Sequence, residues 1–302
     1  MTTTDATPYA AQAISVLYQH RMATQAQLHQ LLAPTRSVQW TSKRLTALRI
    51  EGLADYIALP PPGRQHVWFL TDYGRAVAAD WPELRQLPVP PPVATDPVAV
   101  RLRTSHTLTV LRTHLAFLTD ARRRGDEYGV LDWVPERYHK ITDQHDDAVI
   151  ADALLHYTAT SAGPGTGGRA QFRAFVEVDR ATMSSERLAA KLLGYGRFLE
   201  YTPLPVGRRS AAQTQSALPL WQKSYPLFPR VLFVITNIGG LGLRNRIEDL
   251  RSMAAKHPLA VNLVRKVPVG VARLEDLEEH GPSAAVWTAL DGRDQPFGWM
   301  EL

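Results

Sequence analysis

AFVEVDRATMSSERLAAKLLGYGRFLEY, residues 174–201, is the stretch on which the reading of this chain turns. The apolar run from Phe172 to Val178 reads as a buried strand. Glu177 and Asp179 close that run with the same side-chain parity, so period-two geometry turns both carboxylates to one face of a sheet. Ser184 and Ser185 offer helix caps, and Glu186 supports a first turn. Leu188, Leu192, Tyr195 and Leu199 then repeat at three-to-four spacing, which is an amphipathic helix. Paired acids at a strand terminus, followed directly by a helix carrying Arg187 and Lys191, have the composition of a site.

Upstream, Ala148 to Tyr157 reads as a second strand in which Asp152 is the lone acid among apolar neighbours. Beside the first strand it would bring Asp152, Glu177 and Asp179 together. Hard divalent ions such as Mg²⁺ or Mn²⁺ take oxygen ligands of this kind. Such an ion activates water and neutralises charge on a phosphodiester, with Lys191 as the nearby ammonium. The alternative is a structural network in which the acids are bonded to Arg180, Arg187 and Lys191. One of the two must hold, because a buried acid cluster with neither ion nor counter-charge is strongly repulsive.

The N-terminal part predicts a different job. Residues 8–33 give two helical patterns, and a third helix runs from about Ser37 to Ile50 with Gly52 as its C-terminal stop. Val38, Leu45, Leu48 and Trp40 form its expected buried side. Two strand-like runs, LADYIAL and HVWFL, follow around the tip PPPGRQ, and the helix DYGRAVAADW closes the unit. Three helices and a hairpin are the layout of a winged helix-turn-helix, whose third helix enters the major groove of double-stranded DNA. Arg36 just before that helix, Gln39, Lys43, Arg44 and Arg49 on it, and Arg64 on the wing are the candidate DNA contacts.

Between these parts, LPVPPPVATDP is a proline-rich spacer. The expected division is therefore a DNA-binding domain over 1–86, a linker over 87–97 and a second domain over 98–302. The second domain opens with a long helix, 98–124, which offers a dimer surface. His106 and His114 on it lie two turns apart and do not converge on one ion. The strand GVLDWVPE and the loop with His145, Asp146 and Asp147 come next. After the second strand, SAGPGTGG lacks the Lys-Ser/Thr ending of a phosphate-binding loop. Residues 202–229 are an irregular excursion. Further on come the strand VLFVITN, a helix from about Leu243 to Ala255 and an expected strand, AVNLVRKV.

The chain has 302 residues, no cysteine and a formal charge of +5. That length suits two domains, and the absence of cysteine excludes disulfides and fits a reducing compartment. With no signal peptide and no bilayer-spanning apolar run, a cytoplasmic protein without membrane contact is expected.

The order helix, strand, acid-bearing strand, E-x-D strand, helix, strand resembles the core of the PD-(D/E)XK nuclease superfamily. More closely, the three-helix unit followed by IADALL, FVEVDRAT and ERLAAKLLGY resembles the replication-relaxation family, over about residues 10–255. The resemblance implies an α+β or α/β chain: an N-terminal winged helix-turn-helix, then a nuclease-like α-β-β-β-α-β domain. It also implies a role in plasmid or mobile-element replication and maintenance, with replication or mobilisation proteins as partners. Asp152 takes the Asp of the superfamily pattern and Glu177 its acidic second position. Asp179 stands where the pattern has Lys, and Lys191 on the following helix is placed to supply that cation. The function so implied is Mg²⁺-dependent DNA nicking or cleavage, with a non-catalytic DNA-binding regulator on a degenerate nuclease fold as the alternative. A ligand-responsive regulator is a third class; it needs an apolar pocket, and the clustered acids argue against it.

Overall fold

A computed structural model describes residues 6–58, 65–85, 87, 89–91, 97–142, 147–160, 168–203 and 218–302. The chain is mixed α+β, and its contacts divide it into Met1–Thr119 with Gly129–Leu131, and Asp120–Tyr128 with Asp132–Leu302.

The first unit contains α1 (Ala6–His20), β1 (Met22–Thr24), α2 (Gln25–Leu32), α3 (Val38–Ile50), β2 (Ala54–Ala58), β3 (His66–Leu70) and α4 (Asp72–Ala79). Thr24 and Gln27 form a reciprocal cap at the start of α2, which satisfies two backbone donors at once. Ser37 Oγ accepts from Trp40 N at 3.2 Å and starts α3. Gly52, with φ +72°, takes the left-handed turn that ends it. β3 lies between β1 and β2 in an antiparallel sheet, and β1 was not foreseen from the sequence. The long helix α5 (Pro97–Arg124) begins in this unit, where Gln27 Nε2 donates to Leu108 O at 2.9 Å. His114 is buried and stacks on His20 with ring centres 5.2 Å apart.

α4 returns against the turn after α3 so closely that a Cβ on Gly74 would lie 1.9 Å from the Leu53 carbonyl oxygen. That carbonyl already accepts from Thr71 N at 3.1 Å, so it cannot withdraw without losing a bond. Gly74→Ala should therefore destabilise this unit by about 3 kcal/mol, at the upper end for an overpacked site. Thermal unfolding of the variant measures it, and an unchanged midpoint refutes the close approach.

The second unit is built on a sheet of order β10-β9-β8-β7-β6-β5-β4. Its strands are β4 (Trp133–Lys140), β5 (Ala148–Thr160), β6 (Arg169–Asp179), β7 (Arg230–Ile235), β8 (Val269–Arg273), β9 (Trp287–Ala289) and β10 (Pro296–Phe297). β4, β5 and β6 pair antiparallel; β6, β7 and β8 run parallel. Helices α6 (Ser185–Glu200), α7 (Gly240–Ala255) and α8 (Pro258–Lys266) pack on one another over one face of the sheet. Beneath them Phe175, Leu192, Tyr195, Phe233 and Leu263 belong to one apolar cluster. α9 (Leu274–His280) follows β8.

The expected strand AVNLVRKV is instead helix α8. Pro258 occupies its first turn, where a missing N–H costs nothing, and His257 Nδ1 accepts from Leu259 N at 3.3 Å. Ala260 and Leu263 are the buried pair at helical spacing, so Val261 and Val264 were misleading as strand signals. The strand lies just after, at Val269–Arg273.

Most of the loops singled out in the sequence, including Arg64, His145, Asp146, residues 161–167 and residues 204–217, lie outside the described residues. Within the 202–229 excursion, Trp221 Nε1 donates to Leu199 O at 3.0 Å and Tyr225 is buried. Asp147 pairs with Arg197 at 2.9 Å. Among the described residues no helix is long and apolar enough to cross a membrane.

Candidate active site and nucleic-acid interface

β6 is flanked by β5 and β7, so Phe175, Val176 and Val178 are buried and the strand is held from both sides. Glu177 and Asp179 follow that burial and are each 2 % exposed. Their shared parity turns both toward the helical face, Glu177 to α6 and Asp179 to α7. On β5, Ala153 lies opposite Val176, which sets Asp152 beside Glu177. There the Asp152 carboxylate accepts from Val178 N at 2.7 Å.

Asp152 also sits where the pleat changes phase. Val149 and Ala151 face the α6 cluster from one side of that position, yet Leu154 faces the same cluster from the other. Across the ladder, Pro135 pairs with Ala153 and Arg137 with Ala151, leaving Glu136 opposite Asp152 with φ +49°. A left-handed backbone at a residue other than glycine is uncommon and re-aims the chain. Neither the phase change nor Glu136 was legible in the sequence.

α6 supplies the counter-groups. Lys191 and Tyr195 are one turn apart, so both reach the end of β6 from one helix face. Lys191 Nζ donates to Glu177 Oε2 and lies 3.7 Å from Asp152 Oδ2. Tyr195 Oη donates to Glu177 Oε1 at 2.5 Å. Burial first, and then the Asp152 charge, push the Glu177 carboxyl up to about 7, against the downward pull of Lys191 and Tyr195. Burial opposes the charge on Lys191, but Glu177, Asp152 and Asp179 outweigh it and raise the ammonium above its ordinary value. Burial and the Glu177 charge also hold the Tyr195 phenol well above its usual range, so it stays a donor.

The structure thus brings Asp152, Glu177 and Lys191 together. Asp179 is drawn into the turn that follows: its Oδ1 accepts from Thr182 N and Met183 N, both at 3.1 Å. Its Oδ2 lies 3.4 Å from Arg246 Nη1, and that guanidinium also donates to Met183 O. Among the described residues no set of three or more His, Asp or Glu side chains is grouped to hold one metal ion. Arg187 is exposed. In the sequence Tyr195 reads only as part of an apolar face, although a buried tyrosine requires a partner for its hydroxyl. Arg246 comes from 67 residues further along the chain, and no local pattern marks it.

In the first unit, Thr41, Leu45 and Leu48 are the buried residues of α3. Gln39, Lys43, Thr46 and Ile50 are exposed at three-to-four spacing and form its outer stripe. Val38, expected inside, is 50 % exposed because the first helical residue projects past the core. Arg44 is half-buried with its guanidinium 5.2 Å from the Trp40 ring centre, and Arg36 lies 5.7 Å from the same ring. Arg49 pairs with Asp55 at 2.7 Å and lies over Tyr56. Gln39 and Lys43 therefore stand outward, whereas Arg44 and Arg49 are engaged within the unit.

A family model described as replication-relaxation matches residues 14–206, from α1 through the end of α6. No curated protein and no solved structure gives a significant match.

Proposed function

The chain belongs to the replication-relaxation family, and from that premise we propose that it binds double-stranded DNA in the replication or maintenance of plasmids or other mobile DNA. In this reading the first unit is a winged helix-turn-helix. α3 is its groove-entering helix, and the hairpin of β2 and β3 is its wing. The second unit is a PD-(D/E)XK nuclease-like domain that nicks or cleaves DNA. The observation that carries the nuclease reading is the meeting of Asp152, Glu177 and Lys191 where β5 and β6 part.

The donor set suits a hard divalent ion, being all carboxylate oxygen. Asp152 and Glu177 are the residues placed to hold Mg²⁺ or Mn²⁺ together, whereas Asp179 would have to leave Thr182, Met183 and Arg246 to join them; a bound ion would supply water activation and charge neutralisation at the phosphodiester. Lys191 places an ammonium beside both Asp152 and Glu177, where it can orient water or offset developing negative charge. Tyr195 keeps the Glu177 carboxyl turned toward that ammonium. A second copy of the chain and replication or mobilisation proteins complete the proposed partners.

A second reading has its own support. Asp179 is already satisfied by two backbone amides and Arg246, and Glu177 by Lys191 and Tyr195, so the acids are neutralised from within the chain. On that reading the domain is a scaffold and the protein a non-catalytic DNA-binding regulator. Nicking of supercoiled plasmid separates the two. Activity should require Mg²⁺ or Mn²⁺ and disappear in Asp152→Ala; its absence from the wild type with either ion leaves the scaffold reading.

A further inference from the structure

A cleft of about 410 Å³ opens between α2, the start of α3 and β3. Gln25, Val38, Gln65 and His66 are among its walls, and among the described residues no Lys, Arg, Asp or Glu lines it. Val38 stands half out of the surface at the first residue of α3, with Gln39 exposed next to it. His66 is held in place by stacking on Tyr56, with ring centres 3.9 Å apart.

The base edges in a major groove ask for different chemistry from each pair. Guanine takes a bidentate Arg or Lys, adenine takes a bidentate Gln or Asn, and the thymine 5-methyl takes an apolar contact. Here the two arginines within α3 are committed elsewhere, Arg44 against Trp40 and Arg49 to Asp55. What faces outward over the first two residues of α3, the part of such a helix that meets base edges, is a valine and an amide, and Lys43 one turn further on is assigned to a phosphate. We propose that this end of α3 and its cleft read A·T base pairs, with Val38 against a thymine methyl and Gln39 on adenine. The proposal rests on the DNA-binding reading of the first unit and adds to it the class of sequence recognised.

The test uses the full chain and a random duplex library, followed by measured affinities at one fixed salt concentration. Selected duplexes should share A·T pairs within one half-turn. Replacing their thymines singly by deoxyuridine should weaken binding about fourfold at one position or two, the worth of a single buried methyl. Val38→Ala, a change at an exposed side chain, should abolish that thymine–uracil difference, and Gln39→Ala should relax the preference for adenine. Selection of G·C-rich sites, or equal affinity for thymine and uracil throughout, overturns the proposal while leaving DNA binding intact. A Val38→Ala protein that still distinguishes the two bases overturns it as well. Failure to bind any duplex removes the DNA-binding reading and this inference together.

Discussion

Lys191→Met should make the stability of the second unit fall with rising pH where that of the wild type has levelled off. Glu177 is an acid whose folded pKa, about 7, is raised above its ordinary 4.5. Between those two values the folded state holds a proton that the unfolded chain has released, so stability declines as pH rises. Above about 7 the wild-type carboxyl ionises against the Lys191 ammonium, and this group costs no more. Without the ammonium, Asp152 remains beside a buried Glu177 that keeps the Tyr195 hydroxyl as a donor, and the carboxyl stays protonated to higher pH. The variant should then lose about 1.4 kcal/mol for each further pH unit until its own higher pKa is reached. At pH 8 the full deficit, including the lost pairing, should approach about 3 kcal/mol, as when one member of a buried ion pair is removed. Lys191→Arg, which keeps a cation, should follow the wild type more closely. Urea unfolding from pH 5 to pH 9 measures the curves, and parallel wild-type and Lys191→Met profiles across that range sink the argument.

How far this site was legible depends on how local each signal was. Glu177, Asp179 and Lys191 lie within fifteen residues of sequence, and two simple periods, two for the strand and between three and four for the helix, place them on one face. Asp152 required one more step, that consecutive strands tend to be neighbours, and the register Ala153 to Val176 places it there. Arg246 could not be anticipated, because which arginine of α7 reaches Asp179 is decided by how two helices pack. The same limit applies in the first unit. Arg44 and Lys43 are adjacent and chemically alike in sequence, but a helix turns successive residues by about a hundred degrees, which sends one to Trp40 and the other to solvent. Helix α8 shows the opposite error: Pro258 was a start signal in plain view, outvoted by valines that favour strands.

That difference between neighbours gives the second large effect. Lys43→Ala should weaken binding to any duplex roughly tenfold at low salt and reduce the slope of log affinity against log salt by about 0.9, the signature of one phosphate contact. The loss should be nearly the same for every sequence, since a phosphate contact carries no base information. Arg44→Ala should behave otherwise. Its guanidinium lies against Trp40 and is half-buried, so the variant loses packing and a cation–π contact of about 1 kcal/mol. Its salt slope should stay at the wild-type value once the protein is folded. Filter binding across a salt series, with thermal melts of both variants, separates a charge that meets DNA from one that holds the helix. Were Arg44→Ala to change the slope and Lys43→Ala to leave it untouched, the outward stripe of α3 would not be the surface that meets the phosphates.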